Sequence, residues 1–169
     1  MPVLQPPPFR VYLMRHAHAA WPVAGERDFD RRLDDVGYAE VEIVGARAAE
    51  KGYLPDVVLS STATRCGETA QSVRRAFNDA FDISYVDEMY NAQPETYLAL
   101  IAAQAPSRSV MLIGHNPTLD AVAEAFLGQR KMESLLPSGF PTAGLAVLDA
   151  KLGDDSRVSE WQMLEFLAP

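Results

Sequence analysis

Three short segments gather the residues able to do chemistry. In "LMRHAHAAW" (13–21) Arg15 and His16 stand side by side at the end of an apolar run, with His18 two residues on. "LSSTATRCGETA" (59–70) carries Arg65 next to the only cysteine, Cys66. "LIGHNPTL" (112–119) ends a second apolar run in His115. Two reaction classes compete for this set. In the first, His16 and His18 are a metal pair, since a strand-end His-x-His can point both rings to one side. Barrel hydrolases that use such a pair need further ligands and about 250 residues. Here there are three histidines and 169 residues in total, and no Asp-x-Asp cluster sits at another expected strand end. In the second, one histidine is a nucleophile that attacks phosphorus and carries the phosphoryl group covalently. A phosphoryl dianion calls for fixed cations, and the planar arginine fork bonds two of its oxygens while staying charged. Arg15 and Arg65 supply two forks, and His115, if protonated, supplies a third cation. Positive neighbours also hold His16 in its neutral, nucleophilic form. This second reading needs no metal and no cofactor.

The elements that must position these residues can be read from periodicity. "RVYLMR" (10–15), "PDVVLSS" (55–61), "ISYVDE" (83–88) and "SVMLIGH" (109–115) read as strands, the last the most apolar and so central. Between them, helices are expected over 35–51, with Asp34 as N-cap and Val36, Ala39, Ile43 and Ala46 at helical spacing, and over 63–77, with Ala70, Val73 and Phe77 on one side. Further helices are expected over 94–104, with Pro94 in the first turn, and over 117–128, closed by Gly128. "GLAVLDA" (144–150) and "RVSEWQMLEF" (157–166) read as closing antiparallel strands joined by "LGDDS". The alternation predicts a three-layer α/β fold, a mostly parallel sheet with helices on both faces and no large cap insertion. One domain is expected over 1–169, with residues 1–9 as an extended lead-in. Such sheets do their chemistry beyond the C-terminal strand ends. Arg15-His16, Ser60-Ser61 leading to Arg65, Asp87-Glu88 and Gly114-His115 all fall on that edge.

Composition narrows the partners. Fifteen basic against 23 acidic residues give a net charge of −8, which argues against nucleic acid and anionic membrane surfaces. No stretch approaches the ~20 apolar residues of a membrane span. The N-terminus lacks the regions of a signal peptide, and a single cysteine fits a reducing compartment, so a cytoplasmic location is expected. Cys66 reads as a packed thiol, Trp161 as core and Trp21 as a rim or loop residue. Arg31 and Arg32 are expected to pair with Asp28, Asp30, Asp34 or Asp35, with one of them able to reach a phosphate. His18 reads as a rim residue.

Taken together, "LMRHAHA", "LSSTATRCGETA" and "LIGHNPTL" resemble the three signature segments of the histidine phosphatase superfamily, the phosphoglycerate-mutase-like proteins. "RDFDRRLDDVGYAE" (27–40) resembles its Asp-x-x-Arg-x-Leu-x-x-x-Gly segment. The resemblance runs over about residues 10–150, and the short chain with its "ETAQSV" helix looks most like the SixA-type phosphohistidine phosphatases. It implies His16 as the phosphorylated nucleophile, Arg15 and Arg65 as phosphate clamp, and His115 as the second pocket histidine. It departs at Ala17, where the family often has Gly. Glu88 has two readings, a general acid or an exposed strand-end charge.

Larger relatives cover the site with a helical insertion, commonly between the third and fourth strands. Here 20 residues separate Glu88 from Ser109, room for one crossover helix. An open site favours a phosphohistidine on a protein, such as a histidine phosphotransfer domain. The alternatives are a small phosphomonoester or, from another class, a catalytically silent phosphoprotein-binding module.

Overall fold

The computed structural model describes residues 9–104 and 108–169; nearly all of the expected lead-in lies outside them. Six strands form one sheet: β1 (Arg10–Arg15), β2 (Val57–Ser61), β3 (Ile83–Val86), β4 (Ser109–Gly114), β5 (Leu145–Leu152) and β6 (Val158–Leu167). Their order is β3-β2-β4-β1-β5-β6. β3, β2, β4 and β1 are mutually parallel, and β5 joins β1 antiparallel, followed by β6 antiparallel to β5. β4, buried at every residue, and β1 occupy the middle, as the apolar runs require.

Alternation along β1 sends Val11 and Leu13 to one face and Tyr12 and Met14 to the other. The two faces head two separate cores. Tyr12, Met14, Val58, Met111 and Ile113 pack under α1 (Asp35–Glu50) and α2 (Thr64–Ala76). Val11, Leu13, Leu59, Val110 and Leu112 pack under α3 (Pro94–Ala102) and α4 (Thr118–Leu127). This is the three-layer arrangement expected. α4 ends at Gly128, whose φ of +86° suits glycine. A short helix α5 (Gln129–Leu135) then follows, which the sequence pattern did not suggest.

Two expectations need correcting. The stripe Val36, Ala39, Ile43 and Ala46 faces solvent; Val36 is 59% and Ile43 43% exposed. α1 buries Gly37, Val41, Val44, Gly45 and Ala48 instead. The reason is close approach. A Cβ on Gly37 would lie 2.1 Å from the His18 carbonyl oxygen, and one on Gly45 3.1 Å from the Ala76 methyl. Val41, Val44 and Ala48 mark this face at helical spacing, but the two glycines that set its closest contacts carry no hydrophobic weight in a periodicity count, so the competing stripe stood out. The N-terminus is as expected, with the Asp34 carboxylate accepting from the Gly37 amide at 2.8 Å. The second correction concerns β3, which stops at Val86. Asp87–Met89 form a 3-10 turn, and Glu88 lies exposed on it. Met89 fills the core in the turn's place, which rotates both acids outward.

Candidate active site

β1 and β4 pair in register, Arg15 opposite Gly114, and the ladder continues one step further as the His16 amide donates to the Gly114 carbonyl at 3.1 Å. His16 and His115 thus leave the sheet from adjacent strands at the same level. Their ring centroids stand 5.5 Å apart. Gly114 has a local cause. Tyr97 lies against it, and any Cβ there would sit 2.2 Å from the Tyr97 hydroxyl. That hydroxyl accepts the His115 amide and donates to the Met89 carbonyl, both at 3.2 Å, so α3 fixes the turn out of β4.

The His16 Nδ1–H donates to the Ala17 carbonyl at 2.7 Å. The tautomer is therefore fixed and the lone pair is left on Nε2, in a ring that lines the pocket. Burial, reinforced by Arg65, Arg15 and Arg31, pushes His16 down to about 4. The cations work in the direction expected, although desolvation is the larger cause. The ring is neutral at pH 7 and its nitrogen is nucleophilic.

His115 is held by Ser61, whose hydroxyl lies 2.9 Å from Nε2, with the Cys66 Sγ at 3.5 Å. Arg65 Nη2 approaches Nδ1 at 3.5 Å. A guanidinium only donates, so Nδ1 is the acceptor and Nε2–H points to Ser61. Burial and then Arg65 and His16 hold His115 down to about 3. It is thus neutral in this structure rather than the third cation considered from sequence. Cys66 is fully buried and its thiol is pushed up to about 12 by burial, the packed thiol expected.

Arg65 is buried and donates from Nη1 to the Asp28 carbonyl and from Nη2 to the Asp28 carboxylate, at 2.8 and 3.0 Å. Arg15 anchors one terminal nitrogen on the Phe140 carbonyl at 2.8 Å, while its Nε is buried without a partner among the described residues. An N–H desolvated and unpaired is costly unless a ligand supplies the acceptor. The pocket has a volume of about 520 Å³ and is lined by His16, Arg65, His115, Asn116, Thr118 and the segment Asn91–Pro94.

His16, Arg65 and His115 line this pocket together, while Arg15, beside His16 at the end of β1, is not among its lining residues. Glu88 does not line this pocket. His18 turns away, its Nδ1 2.6 Å from the Asp34 carboxylate, with nearly half of its side chain exposed. Among the described residues, no three His, Cys, Asp or Glu side chains are grouped to hold a metal ion. Arg31 pairs with Asp28 at 3.1 Å. Sequence reasoning missed Ser61, Tyr90 and the hold of Asp28 on Arg65. Tyr90 donates to the Asp28 carboxylate at 2.7 Å from a segment with no motif, and nothing in its spacing marks it.

The family model for the histidine phosphatase superfamily (branch 1) matches residues 11–97. A crystal structure from Agrobacterium tumefaciens, provisionally assigned as the phosphohistidine phosphatase SixA, is 56% identical. It superposes with a TM-score of 0.88 over 96% of this chain and 99% of that one. An uncharacterised protein of Mycobacterium leprae is 31% identical over 159 residues, covering 90% of this chain and 92% of its own. A chloroplastic protein of Arabidopsis thaliana is 31% identical over 130 residues, and the match spans 59% of that protein's length.

Proposed function

Because the chain belongs to the histidine phosphatase superfamily (branch 1), we propose that it hydrolyses phosphohistidine on a protein through a covalent intermediate on His16. The observation that carries the reading is the fixed tautomer of His16. With Nδ1–H committed to the Ala17 carbonyl, Nε2 is the atom that attacks. A bond forms from His16 Nε2 to phosphorus as the bond from phosphorus to the substrate nitrogen breaks. The departing imidazole takes the electron pair and leaves neutral when its other nitrogen already carries a proton, so no acid is required. Arg65 lines the pocket and holds the phosphoryl oxygens, and the buried Nε–H of Arg15, without a partner among the described residues, is the donor assigned to a further oxygen. Water then adds to phosphorus, the bond to His16 Nε2 breaks with its electron pair returning to that nitrogen, and the water protons stay on the released phosphate. The incoming dianion favours a protonated His115, whose Nδ1–H then donates to it.

The choice of a protein substrate rests on the open mouth. Among the described residues the β3–β4 connection holds only the 3-10 turn, the pocket-lining segment Asn91–Pro94 and α3, with no further inserted helix. A phosphohistidine raised on a protein surface fits such a mouth without needing enclosure. The test is rapid-quench trapping with a phosphohistidine protein. An acid-labile phosphate should appear on His16, and His16→Ala should lose about 10³-fold or more in turnover. Trapping on another residue, or wild-type preference for a sugar phosphate over the phosphohistidine protein, would overturn the reading.

A further inference from the structure

Arg65 and Arg31 share one internal anion. The Asp28 carboxylate, on the 3-10 turn Asp28–Asp30, receives Arg31 Nη1 on Oδ1 at 3.1 Å and Arg65 Nη2 on Oδ2 at 3.0 Å. Tyr90 donates to the same Oδ2, and its ring lies 6.0 Å from the Arg65 guanidinium carbon and 5.1 Å from the Phe29 ring. Asp28 is therefore held on both oxygens while half of its side chain stays exposed. Arg65 lines the pocket, so this carboxylate shares a guanidinium with whatever anion the pocket takes.

We propose that Asp28 is a built-in counter-charge that limits how tightly the site holds phosphate, so that the product can leave. The inference rests on the phosphatase reading above and deepens it. A hydrolase of this kind binds a dianion twice, as substrate and as product. Arginines that stay charged throughout give no means of release. One fixed carboxylate beside the clamp opposes the dianion at both stages while leaving the arginine geometry intact. Positioning alone does not demand a charge there, since Arg65 Nη1 already has the Asp28 main-chain carbonyl, which any residue would supply. Asp28 is a positioning residue in contact with Arg65, and its charge is what the test isolates.

The experiment measures binding of inorganic phosphate by calorimetry to the wild type, Asp28→Asn and Asp28→Glu, at low and high ionic strength. A single negative charge about 6 Å from a dianion, even with water-like screening, opposes binding by roughly tenfold. Asp28→Asn should therefore bind phosphate roughly tenfold tighter at low salt, with a lower KM and sharper product inhibition, and the gain should shrink at high salt. Asp28→Glu keeps the charge and should bind near the wild-type level. Binding by Asp28→Asn that is equal to or weaker than wild type overturns the inference. So does an equal gain in both variants, which would mean a displaced loop rather than a lost charge. A wild type that neither turns over a phosphohistidine protein nor binds phosphate, with Asp28→Asn binding none either, would instead fail the functional reading, and this inference with it.

Discussion

Acid should destabilise this fold through the two pocket histidines. In the unfolded chain each imidazole takes up a proton near pH 6.5. In the native pocket His16 stays neutral down to about 4 and His115 down to about 3. Across that window the unfolded chain binds more protons than the native one, so stability is present above about pH 6.5 and is lost as pH falls toward the native values. Between about pH 7.5 and about pH 5 each ring contributes a loss of about 2 kcal/mol, or about 4 kcal/mol for the pair. That is a large part of the ~5–15 kcal/mol that holds a domain folded. The assay is urea denaturation at both pH values, for the wild type and for a variant with His16→Gln and His115→Gln together. Carboxylates elsewhere titrate alike in both proteins and cancel in the comparison. The double variant should lose about 4 kcal/mol less between the two pH values. If it loses as much as the wild type, the rings are not held neutral by this pocket, and the argument for a neutral nucleophile fails with it. Adding phosphate at the lower pH should restore stability in the wild type alone, because the anion makes protonation of His115 favourable.

Three further outcomes follow from the site. Activity should survive a chelator, since arginines do the charge work; a loss that zinc or manganese restores would return His16 and His18 to the metal-pair reading. Glu88→Gln should change turnover of phosphohistidine and of an alkyl phosphate by less than about twofold, given where the 3-10 turn carries it; a loss confined to the alkyl phosphate, up to the ~10²-fold or more that a general acid contributes, would make Glu88 an acid after all. Gly37→Ala should destabilise the fold by about 1–3 kcal/mol in thermal or urea unfolding, because α1 must back away from the His18 carbonyl; an unchanged midpoint would refute that contact.

The strands and the three pocket-lining groups His16, Arg65 and His115 were legible because each is marked locally. Apolar runs that stop at Arg15-His16 and at Gly114-His115 give both the element and the point where it opens toward ligand. The inward face of α1 was misassigned because Val36 and Ile43 offer a stripe that competes with Val41, Val44 and Ala48, while Gly37 and Gly45, which let the helix approach closely, carry no hydrophobic signal. Asp28 and Tyr90 were hidden for another reason. Their positions depend on a loop and a 3-10 turn folding back over Arg65, and such long-range meetings leave no period in the chain. The end of β3 was placed two residues too late because the sequence shows a strand followed by acids but not that Met89, buried in the core, closes a 3-10 turn that carries them.

The in-register ladder between β1 and β4 separates inheritance of chemistry from inheritance of taste. His16 and His115 are spaced by hydrogen bonds between two buried central strands, a part of the molecule that opens rarely. Asn91–Pro94, which line the pocket, and the Asp28 turn, which holds Arg65, lie by contrast on surface connections that can be lengthened or rewritten without shifting either ring. A descendant of this gene can acquire a new substrate by editing those two connections, and the phosphorus chemistry passes to it unaltered.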